Sequence, residues 1–354
     1  MSAGYTLETD ASLRALNTFG VEARAAGVLT VHESGALAAA LADARIAGRP
    51  VMCLGQGSNL LLVGDYAGVM LRQAAVAVSV VEDFGATVRV RAEAGCAWDL
   101  LVDWTISRGL AGLENLALIP GLVGAAPIQN IGAYGTEIDE FIATVEAWDC
   151  PSGRLVRLPR EDCGFTYRDS RFKHEIDRWI VTAVELVLPR RRAPRLDYPG
   201  VREEVGPCNG EPSPATVAAA VRRIRRRKLP DPAVIGNAGS FFKNPVVALD
   251  RAHAVAAANP GLPSYPASSA EHRKLSAAWM IEACGWRGHR DGDAGVSSRH
   301  ALVLVNHGDA TGARILSLAQ RVAESVCERF GVELVPEPRI VGARFAPLSS
   351  ASTG

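Results

Sequence analysis

The chain has 354 residues, 48% of them apolar and 21% charged, a composition that fits a globular protein with room for two or three separate cores. Its 38 basic residues balance 38 acidic ones, so no net field draws the whole chain to nucleic acid or an anionic membrane. The seven cysteines and seven histidines are dispersed; with no Cys-x-x-Cys and no His-x-x-x-His pair, neither a disulfide framework nor a metal site is expected. No apolar stretch reaches membrane-spanning length and no secretory leader is visible, which points to a soluble cytoplasmic protein.

In chain order, the alanine-rich residues 35–48 predict a helix, and residues 50–54 and 69–71 predict strands. Residues 76–82 and 87–94 alternate apolar and polar positions around Asp83 and Gly85, the pattern of a hairpin. Residues 98–110 predict a helix with Trp98, Leu101, Val102 and Thr105 on one face. Residues 113–135 follow neither period and are crowded with small side chains; a connection that long in a compact domain is usually functional. Strands are expected again at 144–148, 155–158 and 180–188. A stretch rich in Pro, Arg and Gly, 189–214, then marks a domain boundary or an excursion. A basic helix at 217–228, a helix at 277–284, a buried strand at 300–306 and a long amphipathic helix at 313–330 complete the pattern, with Ile315, Leu318, Val322 and Val326 on the last helix's apolar face. This is a mixture of α and β without strict alternation.

Two loops are suited to a phosphate-bearing cofactor. Gly55-Gln56-Gly57-Ser58-Asn59-Leu60 follows a strand, and its glycines let backbone N–H groups approach an anion while Ser58 and Asn59 add side-chain donors. It is neither a Walker loop nor a dinucleotide fingerprint, since Leu60 stands at the third glycine position; alone it reads equally well as a tight turn. The second loop runs from Gly112 to Gly135 and includes Pro120, Gly121, Val123, Gly124, Ala125, Pro127, Gln129, Asn130, Gly132 and Ala133. So many small residues expose backbone along a line, as an extended ligand with a central pyrophosphate requires. The basic run Arg222, Arg223, Arg225, Arg226, Arg227 and Lys228 is either a solvated helix face or an anion site.

The second loop resembles the flavin-binding signature of the UDP-N-acetylenolpyruvoylglucosamine reductase (UDP-N-acetylmuramate dehydrogenase) family, in its long-loop subgroup. Further similar phrases follow in the family's order. They are Asn17-Thr18-Phe19, the Gly55 loop, Tyr167-Arg168-Asp169-Ser170, Lys228-Leu229-Pro230, Gly236-Asn237-Ala238-Gly239-Ser240 and Pro336-Glu337-Pro338. The resemblance implies an α+β chain with an FAD-binding domain of the vanillyl-alcohol-oxidase/PCMH type in two subdomains and an α+β C-terminal substrate domain. On that pattern the first subdomain spans 1–75 and the second 76–215. The substrate domain spans 216–330, a segment at about 331–345 returns to the first subdomain, and 346–354 form a flexible tail.

The resemblance also implies the chemistry. NADPH reduces non-covalently bound FAD, and the enolpyruvyl ether of UDP-N-acetylglucosamine is then reduced to UDP-N-acetylmuramate, a peptidoglycan precursor. NADPH and the sugar nucleotide bind in turn, and a monomer is expected. Hydride added to the terminal alkene carbon leaves charge beside the carboxylate, so a cation must face that carboxylate and an acid must face the carbon. Arg168 matches the family's essential arginine, Ser240 its proton donor and Glu337 its third catalytic residue. Lys228 and Asn244 match positions holding the UDP portion, Tyr167 lies beside Arg168, and Tyr198 resembles a uridine-contacting tyrosine. Arg225 of the basic helix is expected at the cofactor together with residues 55–60 and the second loop.

Two other readings compete. A sugar or alcohol oxidase of the same flavin superfamily often tethers FAD through a His or Cys in the first loop, where this chain has Ser58 and Asn59. A catalytically inert nucleotide-binding protein has no need to keep Arg168, Ser240 and Glu337 together.

Overall fold

The computed structural model describes residues 4–267 and 269–346. Apart from Ala346, the tail expected at 346–354 lies outside the described residues. The chain divides into two compact units. One comprises Ala25–Gln56 and Ala67–Arg226 with the N-terminal residues up to Ala11; the other comprises Ser12–Arg24, Gly57–Tyr66 and the chain from Arg227 onward.

The first unit holds two main sheets. In one, the strands run in the spatial order Tyr5–Ser12, Arg24–Val31, Tyr66–Gln73, Val51–Cys53, and the last two are parallel, with Val51 opposite Val69 and Cys53 opposite Leu71. Leu29, Val31, Val69 and Leu71 bury one face under Leu37 and Ala40. The single helix expected at 35–48 is instead broken into a 3-10 turn at Ser34–Ala36, a short helix Leu37–Leu41 and a second turn at Ala44–Ile46. Asp43 is the cause: its side chain accepts from the Arg45 N–H at 2.9 Å, which starts a new turn and competes with helix continuation.

The second sheet is antiparallel, in the order Arg154–Pro159, Ile142–Asp149, Trp179–Pro189, Thr87–Glu93, Val78–Asp83. The hairpin read from the sequence is its edge. Along Thr87–Glu93 the alternation is strict. Val88, Val90 and Ala92 enter the core, while on the opposite face Arg91 forks onto Glu146 and Arg157 bridges Glu146 and Glu185 at 2.7 and 2.6 Å. Two helices cover the apolar face, Trp98–Ser107 through Trp98, Leu101 and Val102, and Pro214–Lys228 through Val217, Val221 and Ile224.

The second unit is built around an antiparallel sheet in the order Gly236–Ser240, Val303–Asn306, Ala294–Val296, Arg290–Asp291. The strand expected from residue 300 starts only at Val303, because His300 lies in a turn where its carbonyl accepts from Val303 N–H at 3.0 Å. Gly312–Phe330 packs Ile315, Leu318, Val322 and Val326 into the core. Thr311 caps its start by accepting from Arg314 N–H at 3.3 Å, and Gly331 ends it with φ +61°. Arg339–Val341 pairs in parallel with Leu60–Leu62. Among the described residues, no helix is long and apolar enough to cross a membrane.

Candidate active site

In the first unit, the long loop is fixed by backbone bonds to the chain just before and within the first turn of Trp98–Ser107. Gly124 N–H donates to Ala94 at 3.0 Å, Val123 N–H to Cys96 at 2.9 Å, and Trp98 N–H to Gly121 at 3.0 Å. The Trp98 indole adds a bond to Leu116 O at 2.9 Å. Gly124 sits so close to the neighbouring chain that a Cβ there would lie 2.6 Å from the Ala94 Cβ, which explains why this position has no side chain. Gln56 Oε1 accepts from Gly121 N–H at 3.0 Å, joining the two glycine-rich loops where both belong to this unit.

The loop's far half is held by Asn130, which has no accessible surface. Its carboxamide donates to Glu137 Oε2 and to Thr166 O, both at 3.2 Å, and accepts from Asp139 N–H at 3.1 Å. The Asn130 side chain is thus spent inside the protein, where it ties the signature loop to the segment carrying Arg168. The Arg168 guanidinium donates to the carbonyls of Asn130 and Gly132, and its carbon lies 5.5 Å from the Tyr167 ring centroid. Any side chain at Gly132 would displace it, since a Cβ would fall 2.9 Å from Arg168 Nη1.

A second guanidinium joins the first. Arg225, on Pro214–Lys228, donates through Nε to Leu118 O at 3.1 Å. Burial pushes its pKa down; the Tyr134 side chain opposes that shift, and the nearby Arg168 charge reinforces it. Tyr134 in turn packs edge-to-face on Tyr198, their centroids 5.2 Å apart. Leu118, Asn130, Tyr134 and Arg168 all have left-handed backbone, with φ between +46° and +59°. Such strain collects at functional sites, where the surroundings over-determine the conformation.

In the second unit, Gly57 packs against the Leu16 carbonyl, where a Cβ would come within 2.2 Å. Thr18 donates to Gly57 O from both its hydroxyl and its backbone N–H, each at 3.2 Å. Asn59 donates from its side chain to Glu337 O at 3.4 Å, and Arg339 N–H returns to Asn59 O at 3.0 Å. Phe241, next to Ser240, accepts from Glu337 N–H at 2.8 Å. Asn244 accepts from Ala277 N–H at 3.0 Å. Lys228 is exposed at the end of its helix, and its charge lies near His300.

The expected site residues therefore fall into two groups. Gly55, Gln56, residues 120–133, Tyr167, Arg168, Tyr198 and Arg225 belong to the first unit; residues 57–60, Lys228, Ser240, Asn244 and Glu337 belong to the second. Sequence reasoning missed Tyr134, although a large side chain between Ala133 and Gly135 was a signal. It also missed Asn115, a buried residue whose amide holds Tyr134 O and Arg195 O, each at 3.0 Å.

The donor set suits FAD. Two guanidinium groups held near each other favour an anionic or electron-rich partner, and the adjacent loop offers close approach without side chains.

Comparison with known proteins agrees. Residues 25–159 match the model of an FAD-binding domain, and residues 231–341 match that of the C-terminal domain of UDP-N-acetylenolpyruvoylglucosamine reductase. A UDP-N-acetylenolpyruvoylglucosamine reductase of Xanthomonas euvesicatoria pv. vesicatoria is 54% identical over 343 residues, covering 97% of this chain and 98% of the relative. One from Xylella fastidiosa is 50% identical over 96% of this chain and 97% of its own length. The crystal structure of the Thermus caldophilus reductase is similar at a TM-score of 0.64 with 27% identity, covering 95% of this chain and 98% of that one. The chain thus belongs to the UDP-N-acetylenolpyruvoylglucosamine reductase family, a family of FAD-dependent oxidoreductases.

Proposed function

We propose that this chain reduces the enolpyruvyl ether of UDP-N-acetylglucosamine to UDP-N-acetylmuramate in the cytoplasm, with NADPH as reductant, as a step of peptidoglycan precursor synthesis. The observation that carries this reading is the Arg168 guanidinium, fixed to the carbonyls of Asn130 and Gly132 beside the second cation, Arg225. FAD, when bound, supplies the chemistry of accepting hydride from NADPH and delivering it to the substrate's terminal alkene carbon.

The chain's own groups do the rest. Arg168 binds the substrate carboxylate, where negative charge grows as hydride arrives. Its planar fork matches the two carboxylate oxygens, and its fixed bonds remove the cost of reorienting it. Ser240 gives a proton to the carbon beside that carboxylate. A serine is a weak acid, but this carbon is strongly basic, so position outweighs acidity. The serine is reprotonated from solvent once the product has left. Glu337 orients the carboxylate end; beside an anion it is protonated or tightly paired while substrate is bound.

Lys228 meets the diphosphate and Asn244 the nucleotide portion, with Tyr198 against the uridine. NADPH and the sugar nucleotide occupy one site in turn.

The test is anaerobic single turnover. The holoenzyme is bleached with NADPH and then given the UDP-linked enolpyruvyl sugar. Return of the oxidised flavin spectrum with formation of the lactyl ether supports the assignment. A flavin that NADPH bleaches but the sugar nucleotide leaves bleached removes the substrate from it.

A further inference from the structure

Asp99, in the first turn of Trp98–Ser107, links the signature loop to the basic helix. Its Oδ1 accepts from Leu118 N–H at 2.7 Å. Both its oxygens take the fork of Arg222, Nη2 to Oδ1 at 2.8 Å and Nε to Oδ2 at 3.2 Å, and Arg222 Nη2 continues to Asp103 at 2.7 Å. Leu118 has φ +59°, a conformation disfavoured for a residue with a bulky Cβ and no side-chain oxygen to compensate locally. It stays there because both its backbone groups are held. Asp99 takes the N–H, and Arg225, one helical turn beyond Arg222, gives Nε–H to the carbonyl at 3.1 Å.

The consequence reaches the cofactor loop. Leu118 sets the direction in which the chain enters Pro120 and Gly121. Gly121 is then fixed by Trp98 N–H on its carbonyl and Gln56 on its N–H, each at 3.0 Å. If Leu118 relaxed to ordinary backbone, its carbonyl would turn from Arg225 and the loop would leave this register.

We propose that Asp99 is a positioning residue for flavin binding: by holding Leu118 in the left-handed conformation it presets residues 118–124 and the Arg225 side chain for FAD. The inference rests on FAD lying against this loop.

The test is FAD titration of the apoprotein, followed by flavin fluorescence. Asp99→Ala is expected to weaken FAD about tenfold, the order of the left-handed penalty for one residue. Combining it with Leu118→Gly, which adopts the left-handed conformation freely, is expected to recover most of that loss. A role confined to general stability predicts no such rescue. Asp99→Asn keeps an acceptor for Leu118 and is expected to stay within about threefold of the unmutated chain, a comparison that stands even where Asp99→Ala folds poorly. Unchanged affinity in Asp99→Ala, or equal loss in the single and double variants, overturns the proposal. The unmutated chain, titrated first, separates the two readings: absence of FAD binding there overturns the flavin reading itself.

Discussion

Glu337 donates its backbone N–H to the carbonyl of Phe241 at 2.8 Å, so the segment carrying Glu337 runs beside the one carrying Ser240. Phe241 also donates to Leu302 O at 2.7 Å, and the next residues continue the pairing, with Lys243 N–H on Val335 O at 3.0 Å. The rings of Phe241 and Phe242 are fully buried beneath this ladder. Ser240 is therefore placed by backbone that cannot shift without opening the core, which suits the proton-donor role proposed for it, where position outweighs acidity.

Ser240→Ala leaves that backbone in place and removes only the hydroxyl. In stopped flow, flavin reduction by NADPH is expected at the unmutated rate, while reoxidation by the enolpyruvyl sugar nucleotide slows by about 10²- to 10⁴-fold, the range for losing a general acid. Equal slowing of both phases would show that Ser240 serves binding rather than proton transfer.

Asn130 offers a test of the loop as a structure. Asn130 itself is buried, it makes three side-chain hydrogen bonds, and its φ is +46°. Asn130→Ala removes those bonds and places a methyl in left-handed backbone; Asn130→Gly removes the bonds alone. Both should destabilise the protein in urea unfolding, the glycine variant by about 1–3 kcal/mol and the alanine variant by about 1–2 kcal/mol more. Reversal of that order would mean that the backbone strain is not real.

Much of this was open to inspection in the sequence, and the limits have physical causes. The hairpin at 76–94 and the helix from residue 312 are regular periodic patterns, which a local reading detects. The helix at 35–48 looked continuous because alanine propensity dominates that window, whereas Asp43 acts through a side-chain bond that propensity does not include. At the site, the glycine-rich loops and Arg168 were visible as motifs. The left-handed conformation of Leu118 was not, because nothing local favours it; those of Tyr134 and Arg168 belong to two-residue turns, Tyr134-Gly135 between the paired Ala133 and Thr136, and Tyr167-Arg168 between the paired Thr166 and Asp169. That of Leu118 exists through bonds with residues remote in sequence, Asp99 at its N–H and Arg225 at its carbonyl.

His300 predicts a pH dependence. Its Nδ1 accepts from Leu302 N–H at 3.3 Å, which requires that nitrogen to be unprotonated. Burial lowers the imidazole pKa below its usual 6.5, and the charges of Lys228 and Arg287 lower it further against a smaller opposing effect of Glu282. With the folded value below the unfolded one, the unfolded chain takes up the proton first. The contribution to stability is thus complete above about pH 6.5 and declines as pH falls through the unfolded pKa, levelling off below the folded one. One titrating group sets an upper limit of about 1.4 kcal/mol per pH unit on that slope. Urea unfolding of His300→Gln across pH 5 to 7.5 should show a flatter profile than the unmutated chain; superimposable slopes would assign the acid sensitivity to other groups.

Gly312 sets helix propensity against packing. It is the first residue of Gly312–Phe330, and on propensity alone alanine there should gain up to about 1 kcal/mol. The packing says otherwise, since a Cβ would stand 1.7 Å from Leu62 O and 2.6 Å from the Leu62 carbonyl carbon. These atoms are backbone, and Leu60–Leu62 is paired to Arg339–Val341, two residues beyond Glu337. Neither strand nor helix can yield by rotating a side chain. Gly312→Ala should therefore destabilise the protein by about 3 kcal/mol or more, as overpacked cores do. Displacement of Leu60–Leu62 should also reach Glu337 through Asn59, which bonds both Glu337 O and Arg339 N–H. Thermal unfolding gives the sign of the effect, and stopped flow on the folded fraction gives its reach. A stabilised variant would show that the helix start can move away from Leu62, and an unstable variant with normal flavin reoxidation would confine the damage to the core.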